Sequence, residues 1–241
     1  MHLLSTRPGG HVEDGGQGVV RVEQTPGDIV VLSAADTTLS LLADAAQQLP
    51  AGFPTVRLAN LMWLRQPASA DMYVDEVLRH ARVVVVDHLG AESAWAYGLQ
   101  QLEKLAKRQG QQLAMFSGDL QEDEDLLARG TAARGVSRQL WQYLRSGGAG
   151  NAAQFLRAVA FHGLGHGEAP LPPRSLPQVA LHVPGGMDTT HTVAGIDDLR
   201  NRWHAGAPVV ALVFYRSHLL SGNTAAFDAL AAVLPDSRCD R

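Results

Sequence analysis

DIVVLSAADTTLSLLADAAQQLP, residues 28–50, decides how the rest of the chain is read. Its β-branched run at 29–32 has no polar residue between apolar ones, the pattern of a strand buried on both faces. Ser33, Asp36 and Thr37 follow as candidate helix caps, and Leu39, Leu42, Ala43 and Ala46 then recur at helical spacing. Strand, short loop and amphipathic helix in that order open an α/β unit.

The same alternation continues outward. TVRLANL (55–61), a helix around 73–80, VVVV (83–86), a helix over 91–108 and QLAMF (112–116) succeed one another. Buried strands separated by helices predict a parallel sheet covered on both faces, of flavodoxin-like architecture. From 122 to 164 the chain reads as helices only, in DEDLLARG, VSRQLWQYLRSG and NAAQFLRAVAFHGLG. These are expected to pack against the sheet edge or to form a helical annex. GEAPLPPRSLP (167–177) cannot carry a helix and reads as a linker.

The predicted organisation is therefore a head domain over 1–165, a connecting region over 166–206, and the first strand-loop-helix of a second α/β domain over 207–241. The connection contains a strand, VALHV (179–183), a loop, PGGMDTTHTVAG (184–195), and a helix, IDDLRNRW (196–203). The last unit begins at APVVALVFYRSHLLSGNTAAFDALAAVL (207–234). Its strand is expected either to join the head domain's sheet as an edge or to sit loosely.

Composition narrows the function. The 241 residues are 46% apolar and 18% charged, which suits a folded domain, and the net charge of -4 comes without any basic block. That leaves no electrostatic footprint for nucleic acid. No apolar run approaches the roughly 20 residues a membrane-spanning helix needs, so no membrane span is expected. The opening MHLLSTRPGG lacks the pattern of a secretory signal, and the single cysteine, Cys239, excludes an internal disulfide. A cytoplasmic setting is the expectation.

Ligands of parallel α/β sheets bind outside the carboxyl ends of the strands. Two segments qualify: Ser33-Ala34-Ala35-Asp36-Thr37, and Tyr215-Arg216-Ser217-His218 with Ser221-Gly222-Asn223-Thr224. In the second, Arg216 offers a planar fork for a carboxylate or phosphate, His218 an imidazole, and the amides at Asn223 and Thr224 favour an anion. A structural account is also open, in which Asn223 or Ser221 caps a helix, Arg216 pairs with a neighbouring acid and His218 lies at the surface. Trp95 and Tyr97 either flank a pocket or belong to the core.

Other motifs are weaker. His162 and His166 have metal-ligand spacing, but Gly163 and Gly165 argue against a helix there, and the third candidates, His182 and His191, are distant. No metal site is expected. GGAGNA (147–152) follows a helix rather than a strand, so it reads as a helix-helix turn and not as a dinucleotide fingerprint. The acidic run 121–125 suits a helix start. There is no P-loop, G-x-S-x-G or H-E-x-x-H.

MHLLSTRPGGH, DIVVLSAADTTLSLLA, PTVRLANLMWLRQPASADMYVDEVL, AWAYGLQQLEKLAKRQG and ALVFYRSHLLSGNTAAFDAL, in that order, resemble the N-terminal part of the cobaltochelatase large subunit of the CobN type. That subunit is related to the large, porphyrin-binding subunit of magnesium chelatase. The chain departs from the pattern after VVVV, where Asp87-His88-Leu89-Gly90-Ala91 replaces an arginine-containing R-L-L-G-G. The resemblance implies an ATP-dependent enzyme inserting cobalt(II) into hydrogenobyrinic acid a,c-diamide in aerobic cobalamin synthesis. It further implies an AAA+ ATPase and a second small subunit as partners. No cofactor is expected to be held by this stretch itself, and no catalytic residue is assigned. Arg216, His218, Asn223 and Thr224 are expected to serve ligand binding or interdomain contact. The competing readings are a non-catalytic flavodoxin-like interaction module and a magnesium chelatase fragment. Exposed apolar surface over 212–234 would mark a missing neighbour.

Overall fold

The computed structural model describes residues 18–90, 94–176 and 208–234, together with 179, 181, 182, 197, 200 and 206. The expected loop 184–195, most of the expected helix 196–203, His191, Cys239 and the opening MHLLSTRPGG lie outside the described residues.

The four strands expected in the head domain form. β1 (Ile29–Ser33), β2 (Val56–Asn60), β3 (Val83–His88) and β4 (Gln112–Ser117) make one parallel sheet in the order β2-β1-β3-β4. Because strand side chains alternate between faces, each apolar run feeds two cores. Val30, Leu32, Val84, Val86, Leu113 and Met115 belong to one. Ile29, Val31, Val83, Val85, Ala114 and Phe116 belong to the other. All are nearly or fully buried, which explains why β1, β3 and β4 do not alternate with polar residues.

The helices divide accordingly. α2 (Pro67–Glu76) and α3 (Ala96–Gln109) pack on the first face, whereas α1 (Asp36–Gln47) lies on the second. The step from β1 to β2 runs opposite to the steps β2 to β3 to β4, and right-handed crossovers place the helices of opposite steps on opposite faces. α2 starts earlier than the expected 73, because Pro67 fits the first helical turn, and it gives way to a 3-10 turn at Leu78–His80. α3 starts at Ala96 rather than 91. Trp95, just before it, turns its ring into the core, where its Nε1 donates to the Leu64 carbonyl at 2.7 Å. Gly98 permits this: a Cβ there would stand 2.0 Å from the Trp95 ring.

The helices of 122–164 are not set apart. α4 (Glu124–Arg129) packs along β4, and α5 (Arg134–Ser146) and α6 (Ala149–Leu164) join α1 over the second face through Leu140, Tyr143, Phe155 and Leu156. GGAGNA is the α5–α6 turn, with Gly147 and Gly148 at positive φ. Asp123 caps α4 by accepting from the Leu126 amide, and Glu122 and Glu124 pair with Arg138. The proline-rich segment then runs back along α6. Leu171 N donates to Gln154 Oε1 at 3.0 Å, and Arg174 N to Asn151 Oδ1 at 3.0 Å.

Both sheet edges are occupied. Along β2, Arg57 Nε donates to the Thr25 carbonyl at 2.7 Å and Gln24 Nε2 to the Leu58 carbonyl at 3.1 Å. Along β4, Ala132 N donates to the Leu113 carbonyl and Thr131 Oγ1 accepts from Leu113 N at 2.8 Å. Gly130 makes that approach possible, since a Cβ there would fall 2.2 Å from the Leu113 carbonyl oxygen. Gly130→Ala is therefore expected to destabilise the chain by about 1–3 kcal/mol, the range of a substitution that displaces packed backbone. Phe116→Ala, emptying a fully buried site, is expected to cost about 3–5 kcal/mol. Equilibrium denaturation of both variants checks the pair.

Candidate functional site at the carboxyl edge of the sheet

Every strand ends in a polar residue, and the register lines these up. Asn60 pairs with Ser33, Ser33 with Asp87, and His88 with Ser117. All five are buried, so each needs hydrogen-bond partners. The Ser33 hydroxyl donates to Asp87 Oδ2 at 2.7 Å and accepts from Ala35 N at 3.1 Å. Asn60 donates to Asp36 Oδ1 at 2.6 Å and accepts from Met62 N at 2.8 Å. The Ser117 hydroxyl accepts from Asp119 N at 3.1 Å. This is the point between β1 and β3 where the strand order reverses, the position ligands take in open α/β sheets.

Ser33, Asp36 and Thr37 do not cap α1 as expected. Ala35 holds the N-cap position with no side-chain bond, because Ser33 is engaged with Asp87 and Asp36 with Asn60.

Arg145, at the end of α5, was missed by sequence reasoning. It donates to Asp87 Oδ1 at 2.8 Å and to the Gly118 carbonyl, tying the helical layer to the sheet end. Burial raises the Asp87 carboxyl above its ordinary range, and the Arg145 charge and the Ser33 hydroxyl act against that rise. Arg145 Nε and the Ser137 hydroxyl are buried with no partner among the described residues. Large apolar side chains stand exposed in the segments that follow the strands: Met62 and Trp63 after β2, Leu89 after β3 and Leu120 after β4. Trp95 is core, while Tyr97 is partly exposed and donates to Asp71 Oδ1 at 2.6 Å.

The second predicted segment is built differently from the expectation. Residues 208–215 form no strand of the sheet, and the expected loop at 216–220 is a short helix, α7 (Arg216–Leu220), followed by α8 (Ala225–Val233). Thr224 rather than Asn223 or Ser221 stands at the N-cap of α8, and no side chain caps it. The Thr224 hydroxyl instead donates to Asp228 Oδ2 at 3.0 Å.

Asp228 and His182 complete a cluster. His182 Nε2 lies 2.6 Å from Asp228 Oδ1, Phe214 and Phe227 stack at 4.2 Å, and the His218 ring meets Phe227 edge-on at 5.1 Å. The structure thus brings His218 and Thr224 into one cluster through α8. It sends Arg216 to the Leu176 carbonyl at 2.8 Å, and Asn223 is exposed, its amide donating to the His218 carbonyl. The Thr224–Asp228 spacing of four in a helix was the available signal for Asp228. α7 docks on the α5–α6 turn, where Gly148 N, three residues after Arg145, donates to the Leu220 carbonyl at 2.7 Å.

His162 lies in α6 and bonds Gln139 Oε1 at 3.2 Å, whereas His166 lies beyond the helix, edge-on to Phe53 at 5.5 Å. No group of three metal-ligating side chains occurs among the described residues. A cavity of about 130 Å³ lined by Val83, Gln112, Val136, Leu140, Val159 and His162 opens near the amino ends of β3 and β4, away from the polar row.

Fold and site together define an α/β protein of the open parallel class, its ligand end sealed by a buried acid–arginine pair. Residues 141–240 match the CobN/Magnesium Chelatase family. The chain is 46% identical to the aerobic cobaltochelatase subunit CobN of Pseudomonas aeruginosa over 93% of its length, and 34% identical to that of a Sinorhizobium species over 97%. A solved structure, the catalytic subunit of cobaltochelatase from Mycobacterium tuberculosis, superposes with a TM-score of 0.65 at 25% identity, covering 88% of this chain and 15% of that one. The chain belongs to the CobN-type cobaltochelatase large-subunit family, and it spans 17% and 18% of the length of the two curated relatives.

Arg145→Met would leave Asp87 buried without its counter-charge, at an expected cost of about 3–5 kcal/mol at neutral pH. The sign with pH follows from linkage. A carboxyl raised in the folded state binds more protons there than in the unfolded chain, so stability falls as pH rises from the unfolded carboxylate value through the folded one. The deficit of the variant should accordingly shrink as pH is lowered from 7 towards 4, measured by urea denaturation across that range.

Proposed function

We propose that this chain is the N-terminal part of the large subunit of an ATP-dependent cobaltochelatase, which inserts cobalt(II) into hydrogenobyrinic acid a,c-diamide in the cytoplasm. The observation that carries this reading is 46% identity, over 93% of the chain, to a protein described as an aerobic cobaltochelatase subunit. Cobalt is here the substrate, and the tetrapyrrole its acceptor. The absence of a P-loop from the sequence supports a division of labour in which an AAA+ ATPase partner hydrolyses ATP and a second small subunit completes the complex.

Within that enzyme the chain contributes contacts rather than bond-making groups. Arg216 stands at the first position of α7, with a guanidinium fork suited to a carboxylate such as those on the rim of the tetrapyrrole. His218, Asn223 and Thr224 lie within the next eight residues, in α7, the turn after it and the N-cap of α8. The independent interaction module is disfavoured by the exposure of Val213 and Tyr215, which are 93% and 81% accessible.

The test is cobalt insertion by the whole subunit with both partners present. Arg216→Ala is expected to raise the KM for hydrogenobyrinic acid a,c-diamide by about tenfold, the effect of one charged hydrogen bond, with kcat little changed. Spectrophotometric titration of the 241-residue chain with the same corrinoid should shift its absorbance. An unchanged KM together with an unshifted spectrum would remove the binding role.

A further inference from the structure

The apolar segment PVVALVFY, residues 208–215, has the composition of a central strand and the exposure of a surface loop. Val209, Val210, Val213 and Tyr215 are 48%, 37%, 93% and 81% exposed, and beyond Val209, a one-residue bridge, the segment carries no ladder. Leu230 and Val233 on α8 are exposed as well, at 49% and 59%, and Val179 at 90%. Yet the unit is anchored at its other end, where Leu219 is buried and Leu220 packs on Gly147.

The first sheet does not take up this segment, and its edges are already bonded in part, at Leu58 of β2 by Gln24 and at Leu113 of β4 by residues 131–132. A second copy pairing edge to edge would satisfy backbone groups but leave the side chains of both faces in water. A lipid surface would cover side chains and leave backbone amides unsatisfied. What fits a strand with no polar face is an α/β layer that supplies neighbouring strands and helices together.

We infer that residues 208–215 are a strand of a second parallel sheet, completed by polypeptide outside residues 1–241 of the kind that makes up the rest of the relatives' length. The inference rests on the large-subunit reading above, and it deepens that reading by assigning the surface through which this stretch joins the remainder. The strand leads through α7 into α8 as β1 leads into α1, so the missing layer lies against the faces that carry Val213 and Tyr215. Phe214, stacked on Phe227 at 4.2 Å, holds the strand's end to α8 and leaves its length available.

The measurement is amide hydrogen exchange of peptides covering 208–215 and 225–233, in the 241-residue chain and in the same chain extended through the reading frame that follows it. Expected is fast exchange in the shorter chain, slowing by about 100-fold or more in the extended one. Val213→Lys should lower the melting temperature of the extended polypeptide and leave that of the shorter chain unchanged. Three results overturn the inference: equal exchange in the two polypeptides, slowing that follows the concentration of the shorter chain and so reports a second copy, or a stop codon directly after Arg241. Exchange is read without corrinoid, so a chain that binds none can still satisfy this test, and one that binds it well can still fail.

Discussion

A strand that is apolar on both faces has to be covered on both faces, and most of this structure follows from that requirement. Four such strands lie side by side, and their alternating side chains divide between two cores, so helices must be found for each face. The crossovers of a sheet whose order reverses between β1 and β3 deliver α1 to one face and α2 and α3 to the other. That leaves the second face short of helix over β3 and β4, and α5 and α6 fill it. α5 and α6, expected to pack at the sheet edge or to form an annex, are thus part of the second helical layer.

The same requirement makes the carboxyl edge polar. Once apolar runs stop at one level across the sheet, the next residues, Asn60, Ser33, Asp87, His88 and Ser117, are still shielded by the helices but no longer needed for the core. Buried polar groups in such a row must satisfy one another. Ser33 and Asn60 do so locally, each bonding a residue of the adjoining loop or helix start. Asp87 requires a charge, and α5 reaches across to supply Arg145. One ion pair therefore fixes the end of α5, the following Gly147–Gly148 turn and, through Leu220, the seat of α7.

Much of this was legible in the sequence. Three of the four sheet strands, β1, β3 and β4, could be read from runs without alternation, and the α5–α6 turn from glycines following a helix rather than a strand. Boundaries were read less well where tertiary contacts override local signals. Trp95 enters the core beside Gly98 and delays α3, and Ser33 is drawn from its capping role by Asp87, 54 residues away in sequence. The Arg145–Asp87 pair was invisible because nothing local marks either residue; only the strand ends IVVLS, VRLAN, VVVVDH and QLAMFS, read in register, show that a polar row exists. At the second unit a strand was expected over the apolar residues from 208 on, whereas residues 208–215 take no place in the sheet and leave Val213 and Tyr215 exposed.

The junction between the two units bears on where a ligand could be held. A Cβ at position 147 would stand 3.0 Å from both the Leu220 side chain and its carbonyl, and Gly147 and Gly148 adopt φ values of 67° and 84° that side chains resist. The approach of α7 is thereby close and conformationally specified. A close junction of this kind keeps the carboxyl edge of the first sheet and the start of α7 in a constant relation. Each half alone is incomplete as a site: the polar row is internally satisfied, and α7 is too short to bind an anion by its dipole. The junction fixes the seat of α7 on the α5–α6 turn, while Met62, Trp63 and Leu89 stand exposed in the loops after β2 and β3.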